Sequence, residues 1–170
     1  YAVNHKDSGL RIISLDSSYD NSGKGLIDME QLLWLKDTLQ EKAEKGSILV
    51  LHHPPCVGTS DPMRAMHGLI NSDELYQIVK DSDIIGILSG HTHQVCATLF
   101  GDIPHYTVDS TAFGVGLDDQ SMYMNVSVGM AYSTVDNGVI TMNHIAFNHE
   151  IANGMQSPLA ELMKLMETHA

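Results

Sequence analysis

The chain has 170 residues, 43% of them hydrophobic and 18% charged, a composition typical of a one-domain globular protein. Its formal charge of −12 argues against binding to a nucleic-acid backbone. No apolar run approaches the roughly 20 residues of a membrane-spanning helix, so no membrane partner is expected. Two cysteines without a CxxC motif favour reduced thiols in a cytoplasmic protein.

The first part of the chain alternates predicted strands and helices. Residues 10–16 form a predicted strand that ends in Asp16, which is either a site carboxylate or a turn residue bonded to the following backbone. The clearest helix runs over residues 28–45 and ends at Gly46. A strand over 47–51 follows at once, which is typical of a layered α/β fold. The predicted apolar face of the helix consists of Met29, Leu32, Leu33, Leu35, Leu39 and Ala43.

An irregular segment over residues 56–69 comes next, and loops of this length often shape binding sites. Asn71 or Ser72 caps a second predicted helix over 73–80, and a strand over 84–88 follows. Beyond that strand the pattern is mainly β, with a strong hairpin signal at Asp136-Asn137-Gly138. The predicted strands cover 95–100, 105–109, 125–134 and 139–146, with a loop over 114–119. We expect one domain over residues 1–150 and a linker with a C-terminal helix over 151–170.

Two of the predicted strands end in histidines. The first leads into His52-His53-Pro54-Pro55, where the prolines prevent the strand from continuing in a central sheet. The second leads through Ser89-Gly90 into His91-Thr92-His93. A regular strand would point His91 and His93 to opposite faces, but a turn after Gly90 would let them serve two adjacent cations. Imidazoles at two strand ends therefore predict a site for Zn, Mn, Fe or a similar ion.

The other histidines are expected to be structural or exposed, with two of them left open. His67 and His105 either line the mouth of the site or pack in the protein. The structural or surface group is His5, His144, His149 and His169.

Carboxylates that a two-metal hydrolytic centre normally needs are missing from the pattern. Such a centre usually includes a bridging oxygen ligand and several carboxylates. The sequence contains neither a D-x-H nor a Gly-Asn-His motif. The histidines therefore look like half of a site, and the start without Met is compatible with a processed or truncated chain.

At these motifs the sequence resembles the C-terminal half of a calcineurin-like metallophosphoesterase. The matching motifs are Gly25-Leu26-Ile27 with 31–35, then 48–55, then 84–93, and together they cover about residues 10–110. Within that superfamily the chain looks most like class III cyclic-nucleotide phosphodiesterases and their glycerophosphodiesterase relatives. The resemblance implies an α/β fold, half of a four-layer α/β/β/α sandwich of mixed sheets with flanking helices.

The resemblance also implies roles for individual residues. His52 and His91 would bind the second ion of a di-metal site, and His93 would bind the first. His53 is not usually a ligand in this pattern, and would contact substrate or pack against Pro55. The full-length family holds two ions of Mn, Fe or Zn, for which partial or no occupancy is expected here. The missing motifs leave no catalytic acid or base to assign.

Two hypotheses about function follow. In the first, the chain is part of an enzyme that hydrolyses a small phosphodiester such as cyclic AMP, and is inactive or nearly so alone. In the second, it is a truncated, non-catalytic assembly module whose exposed sheet pairs with a second copy or with the missing N-terminal half. A weaker third possibility is a structural or adventitious metal site at His52, His91 and His93.

Overall fold

The computed structural model describes residues 1–56, 62–117, 121–125, 127–148 and 156–158. Its helices are α1 (Met29–Thr38), α2 (Pro62–His67) and α3 (Ser72–Val79). Its strands are β1 (Ala2–His5), β2 (Leu10–Ser14), β3 (Ser47–Val50), β4 (Ile84–Ser89), β5 (Cys96–Phe100), β6 (Ile103–Thr107), β7 (Gly114–Leu117), β8 (Ser121–Asn125), β9 (Ser127–Asp136), β10 (Val139–Asn148) and β11 (Gln156–Pro158).

The main sheet has the strand order β1-β2-β3-β4-β6-β5. Strands β2, β3, β4 and β6 are parallel, whereas β1 and β5 pair antiparallel at the two edges. The mixed α/β architecture expected from the sequence is therefore confirmed. Because the carboxyl ends of parallel strands meet at one edge, the residues after β3 and β4 are brought side by side.

The core lies between this sheet and helices α1 and α3. Ile13, Leu49 and Ile87 are fully buried on neighbouring strands, and Leu35 and Leu75 cover them from the helices. On the opposite face the β9–β10 hairpin approaches Gly86, where a Cβ would lie 2.4 Å from Cδ1 of Ile140. The sheet is thus covered by helices on one face and contacted by a hairpin on the other.

Helix α1 is shorter than the sequence predicts. Asp28 caps it by accepting from the backbone N–H of Gln31 at 2.8 Å, but the helix ends at Thr38 rather than near residue 45. The buried Arg11 guanidinium donates to the Thr38 and Glu41 carbonyls, at 2.9 and 2.8 Å, and so satisfies the end of the helix from outside. Of the predicted apolar face, Leu32, Leu35 and Leu39 are buried, whereas Met29 and Leu33 are exposed.

Other differences from the sequence prediction arise in segments held by pairing or packing. The irregular segment over 56–69 contains helix α2, the expected loop over 114–119 contributes to β7, and strand β1 was not predicted. The Asn-Gly hairpin is confirmed, since Asn137 and Gly138 have φ of 50° and 78° between β9 and β10. Of the linker and helix expected over 151–170, Gln156–Pro158 forms a strand with β8, and the rest lies outside the described residues.

Candidate metal centre

The carboxyl ends of β3 and β4 are joined by backbone hydrogen bonds beyond the last ladder pair. The Leu51 N–H donates to the Leu88 carbonyl at 3.1 Å, and the Gly90 N–H donates to the His52 carbonyl at 3.0 Å. The two histidine motifs are therefore adjacent because the parallel sheet places them there.

A tight turn after Gly90 redirects the second motif. His91 and His93 have φ of 66° and 53°, in the left-handed region that non-glycine residues rarely adopt. The buried Thr92 lies between them and donates its N–H to the Gly90 carbonyl at 2.7 Å. Each such residue costs about 1–3 kcal/mol and tends to occur at functional sites. The turn that the sequence prediction required is thus present.

The imidazoles of His52 and His91 meet at the strand ends. Nδ1 of His91 lies 3.0 Å from Nε2 of His52, and Nε2 of His91 lies 2.8 Å from the Gly23 carbonyl oxygen. A carbonyl only accepts, so the proton of a neutral His91 is on Nε2 and its Nδ1 lone pair faces His52. Two imidazoles bound to one ion at about 2.0–2.1 Å have their nitrogens roughly 3 Å apart, so the spacing fits two ligands of one metal.

His53 completes the cluster that the structure brings together. It is buried, its Nδ1 lies 2.9 Å from Oγ of Ser17, and its ring centroid is 4.3 Å from that of His91. One ring nitrogen from each of His52, His53 and His91 lies within 4.8 Å of the others, a group that could hold a metal ion. The sequence reasoning did not select His53 as a ligand, although its position directly after His52 was the available signal.

Electrostatics favours neutral imidazoles in this cluster. Burial lowers the pKa of His91 to about 4, and the neighbouring imidazoles act in the same direction. The hydrogen bond to Gly23 acts in the opposite direction and raises this pKa. Burial also lowers the pKa of His52 and of His53. Unprotonated rings keep the lone pairs that metal binding requires, so the cluster is prepared for a cation at neutral pH.

His93 does not belong to this group of three and has its own hydrogen-bond partner. Its Nδ1 donates to the Phe113 carbonyl at 2.9 Å, and the centroid of its ring lies 4.3 Å from that of the Phe113 ring. This hydrogen bond leaves Nε2 as the atom with a lone pair in the neutral ring. The structure therefore groups His52 with His91, and gives His93 an outer-shell acceptor of the kind that orients metal-bound histidines.

The remaining candidates take different places. His67 lies against the cluster, with its ring centroid 5.4 Å from that of His91. His105 is fully buried on β6 and its Nε2 lies 2.7 Å from Oγ of Ser89, so it is a core residue. His144 pairs with Asp109 at 3.0 Å. Asp16 accepts the Ser18 N–H at 2.8 Å, the turn role left open by the sequence.

Comparison with known proteins now identifies the family. Residues 3–95 match the family model of calcineurin-like phosphoesterases. The chain belongs to this family. The match ends just after His93, so it includes both histidine motifs, at the carboxyl ends of β3 and β4.

Curated relatives of this calcineurin-like chain include phosphodiesterases of two kinds. It is 36% identical over 121 residues to a probable cyclic nucleotide phosphodiesterase of Rhodococcus erythropolis, covering 71% of this chain and 38% of the relative. It is 36% identical over 105 residues to a cAMP/cGMP dual specificity phosphodiesterase of Mycobacterium tuberculosis, covering 62% of this chain and 33% of the relative. It is 32% identical over 114 residues to a probable glycerophosphodiester phosphodiesterase of Arcobacter nitrofigilis, covering 66% of this chain and 42% of the relative.

The matched region is thus less than half the length of each of these relatives. Among solved structures, the chain superposes on GAP50, described as the anchor in the inner membrane complex of Plasmodium, with a TM-score of 0.57 and 18% identity. That alignment covers 86% of this chain and 49% of the other, and it shows similarity of fold alone. Within the described residues, no helix is long and apolar enough to cross a bilayer.

Proposed function

We propose that this chain supplies part of a di-metal centre in an enzyme that hydrolyses a small phosphodiester, with cyclic AMP as the first substrate to test. The observation that carries the proposal is the 3.0 Å approach of His91 Nδ1 to His52 Nε2, with Nε2 of His91 already bonded to Gly23. The proposed metal ligands are His52, His91 and His93, and the proposed ions are Mn, Fe or Zn. The named relatives that act on cyclic nucleotides support the substrate class.

When bound, the ions would supply Lewis-acid charge for the phosphoryl oxygens and would activate the attacking water. The chain's own residues prepare that site. The facing nitrogens of His52 and His91 would hold one ion. The Phe113 carbonyl orients His93 so that its Nε2 is available to the other ion. His53 is buried, and its hydrogen bond with Ser17 holds its ring beside that of His91.

The formal charge of −12 makes cations important for an anionic substrate, because the protein as a whole repels phosphate. The missing D-x-H and Gly-Asn-His motifs also mean that these histidines need oxygen ligands from elsewhere. For this reason we propose that the isolated 170-residue chain binds metal weakly and turns over substrate very slowly or not at all.

The test has two arms that use Mn²⁺ and cyclic AMP. The 170-residue chain alone is expected to show little hydrolysis, whereas a chimera with the upstream half of the Rhodococcus relative is expected to hydrolyse cyclic AMP. His91→Ala in the chimera should abolish at least nine-tenths of that activity, and His5→Ala, far from the site, should not. Robust turnover by the 170-residue chain, or an active His91→Ala chimera, would contradict the proposal.

A second candidate, a non-catalytic assembly module, is favoured by one edge of the main sheet. All four residues of β1 are exposed there, and Val3 pairs with the exposed Ile12 on β2. An open edge with apolar side chains is suited to pairing with another chain, either a second copy or an N-terminal half. Sedimentation of the chain over a hundredfold range of concentration decides this, since a monomer throughout would exclude self-pairing.

A further inference from the structure

The chain that follows β6 holds His93 at two points. The Phe113 carbonyl accepts from Nδ1 of His93 at 2.9 Å, and the Val115 N–H donates to the His93 carbonyl at 3.0 Å. A carbonyl oxygen only accepts, so in the neutral ring this contact places the proton on Nδ1 and leaves the Nε2 lone pair for a metal. The position of the Phe113 carbonyl therefore decides which nitrogen His93 can offer.

The loop between β6 and β7 is fastened to the β9–β10 hairpin. Nε2 of His144, on β10, lies 3.0 Å from Oδ2 of Asp109, whose side chain is only 9% exposed. The Gly129 N–H, on β9, donates to the Ser110 carbonyl at 3.2 Å. Oγ of Ser110 accepts from the Ala112 N–H at 3.0 Å, one residue before the carbonyl that orients the metal-site ring. Hydrogen bonds therefore connect the hairpin to the end of the loop.

Gly129 provides the space in which the His144 ring lies. The two residues are diagonal neighbours on one face of the hairpin, since His144 pairs with Ala131 in the register. A Cβ on Gly129 would overlap Nε2 of His144, the atom that meets Asp109. The hairpin is itself packed on the main sheet through the buried Ile140, which lies against β4. The bond to Asp109 thus reaches the loop from an element that the sheet supports.

We propose that Asp109 and His144 are positioning residues for the metal site, which act on His93 through the Phe113 carbonyl. A nearly buried carboxylate needs a donor, and the His144 N–H supplies one near the point where the loop leaves β6. This inference rests on the proposed function only in treating His93 as a ligand. The tautomer of His93 exists without a metal, and it can therefore be measured separately.

The experiment reads the tautomers of His93 and His144 in the metal-free, ¹⁵N-labelled 170-residue chain by long-range ¹H–¹⁵N NMR, at about pH 8, where an ordinary imidazole is neutral. The wild-type chain should show Nδ1–H at His93 and Nε2–H at His144. His144→Leu removes the donor, His144→Gln keeps an N–H donor, and Gly129→Ala displaces the ring. Thr141→Ala, at an exposed position on β10, is the control.

Loss of the bond to Asp109 should change the tautomer of His93. His144→Leu and Gly129→Ala should each increase its Nε2–H share by roughly two- to tenfold, the range that corresponds to one typical net hydrogen bond. His144→Gln should restore most of the wild-type tautomer, and Thr141→Ala should leave it unchanged. An unchanged tautomer in folded His144→Leu would overturn the inference. Equal changes in His144→Leu and His144→Gln would also overturn it, because they would indicate packing alone.

Should His144→Leu fail to fold, Gly129→Ala and the wild-type spectrum decide. A wild-type chain without a proton on Nδ1 of His93, or without one on Nε2 of His144, would contradict the inference. Zn²⁺ is then added to the wild-type chain while the ¹⁵N signal of His93 Nε2 is followed. If that signal does not move although the tautomer responds to the His144 substitutions, the proposed ligand role of His93 fails and the positioning contact stands.

Discussion

Gly25 offers a direct test of how tightly the candidate metal centre is packed. A Cβ at this position would lie 2.5 Å from Cβ and Cγ of His53 and 2.6 Å from its Nδ1. Ordinary carbon contacts are near 3.5–4.0 Å, so Gly25→Ala requires either the loop or the His53 ring to move by about 1 Å. His53 is buried and bonded to Ser17, and it cannot turn away without losing that bond.

Overpacking of this kind typically costs about 1–3 kcal/mol, and we expect Gly25→Ala to lose that much stability in urea unfolding. Displacement of His53 should also weaken Zn²⁺ binding, because its ring lies against His91. Gly90→Ala is the matched control at the same site, since its Cβ would come no closer than 4.0 Å to any atom of another residue. We expect that control to change stability by less than about 0.5 kcal/mol. Wild-type stability and Zn²⁺ affinity in Gly25→Ala would refute the close approach of loop and ring.

Two further predictions concern the core. Asp83→Asn should lower the free energy of unfolding in urea by about 3–5 kcal/mol, because it leaves the buried Arg11 guanidinium without its bidentate carboxylate at 2.9 and 3.0 Å. The control is Asp81→Asn at an exposed position. Equal stability of the two variants would contradict the role of the ion pair. Burial lowers the pKa of His105 from 6.5 to about 3, so the unfolded chain binds this proton first and stability should fall as pH drops from 6.5 towards 3. The loss at pH 4.5 is about 2–3 kcal/mol from this residue. His105→Gln should reduce by that amount the difference between the unfolding free energies measured in urea at pH 7 and at pH 4.5. An unchanged difference would show that His105 does not titrate as proposed.

Acid sensitivity in this range follows from the sign of the pKa shift. Above pH 6.5 His105 is neutral in both folded and unfolded chains and contributes no pH dependence. Between 6.5 and about 3 only the unfolded chain becomes protonated there, which favours unfolding. The ring is fully buried with Nε2 bonded to Ser89, so solvent does not screen this effect.

The sequence by itself determined the features that depend on residues close together in the chain. The Asp28 cap, the two prolines after His53 and the Asn137-Gly138 turn each act through their own backbone geometry. The histidine pairs at two strand ends also follow from the sequence, because parallel strands bring their carboxyl ends to one edge. These features sufficed to predict a mixed α/β fold and a metal site at the two strand ends, and the family resemblance then pointed to His52, His91 and His93 as its ligands.

Only the tertiary structure decided the features that depend on residues far apart in the chain. The end of α1 is set by Arg11, which reaches across from β2 and is itself held by Asp83. The tautomer of His91 is set by the carbonyl of Gly23, 68 residues away. No periodicity or motif encodes such contacts, because a backbone carbonyl has the same chemistry at every position. Their specificity comes from the fold, which holds one particular carbonyl against one particular ring.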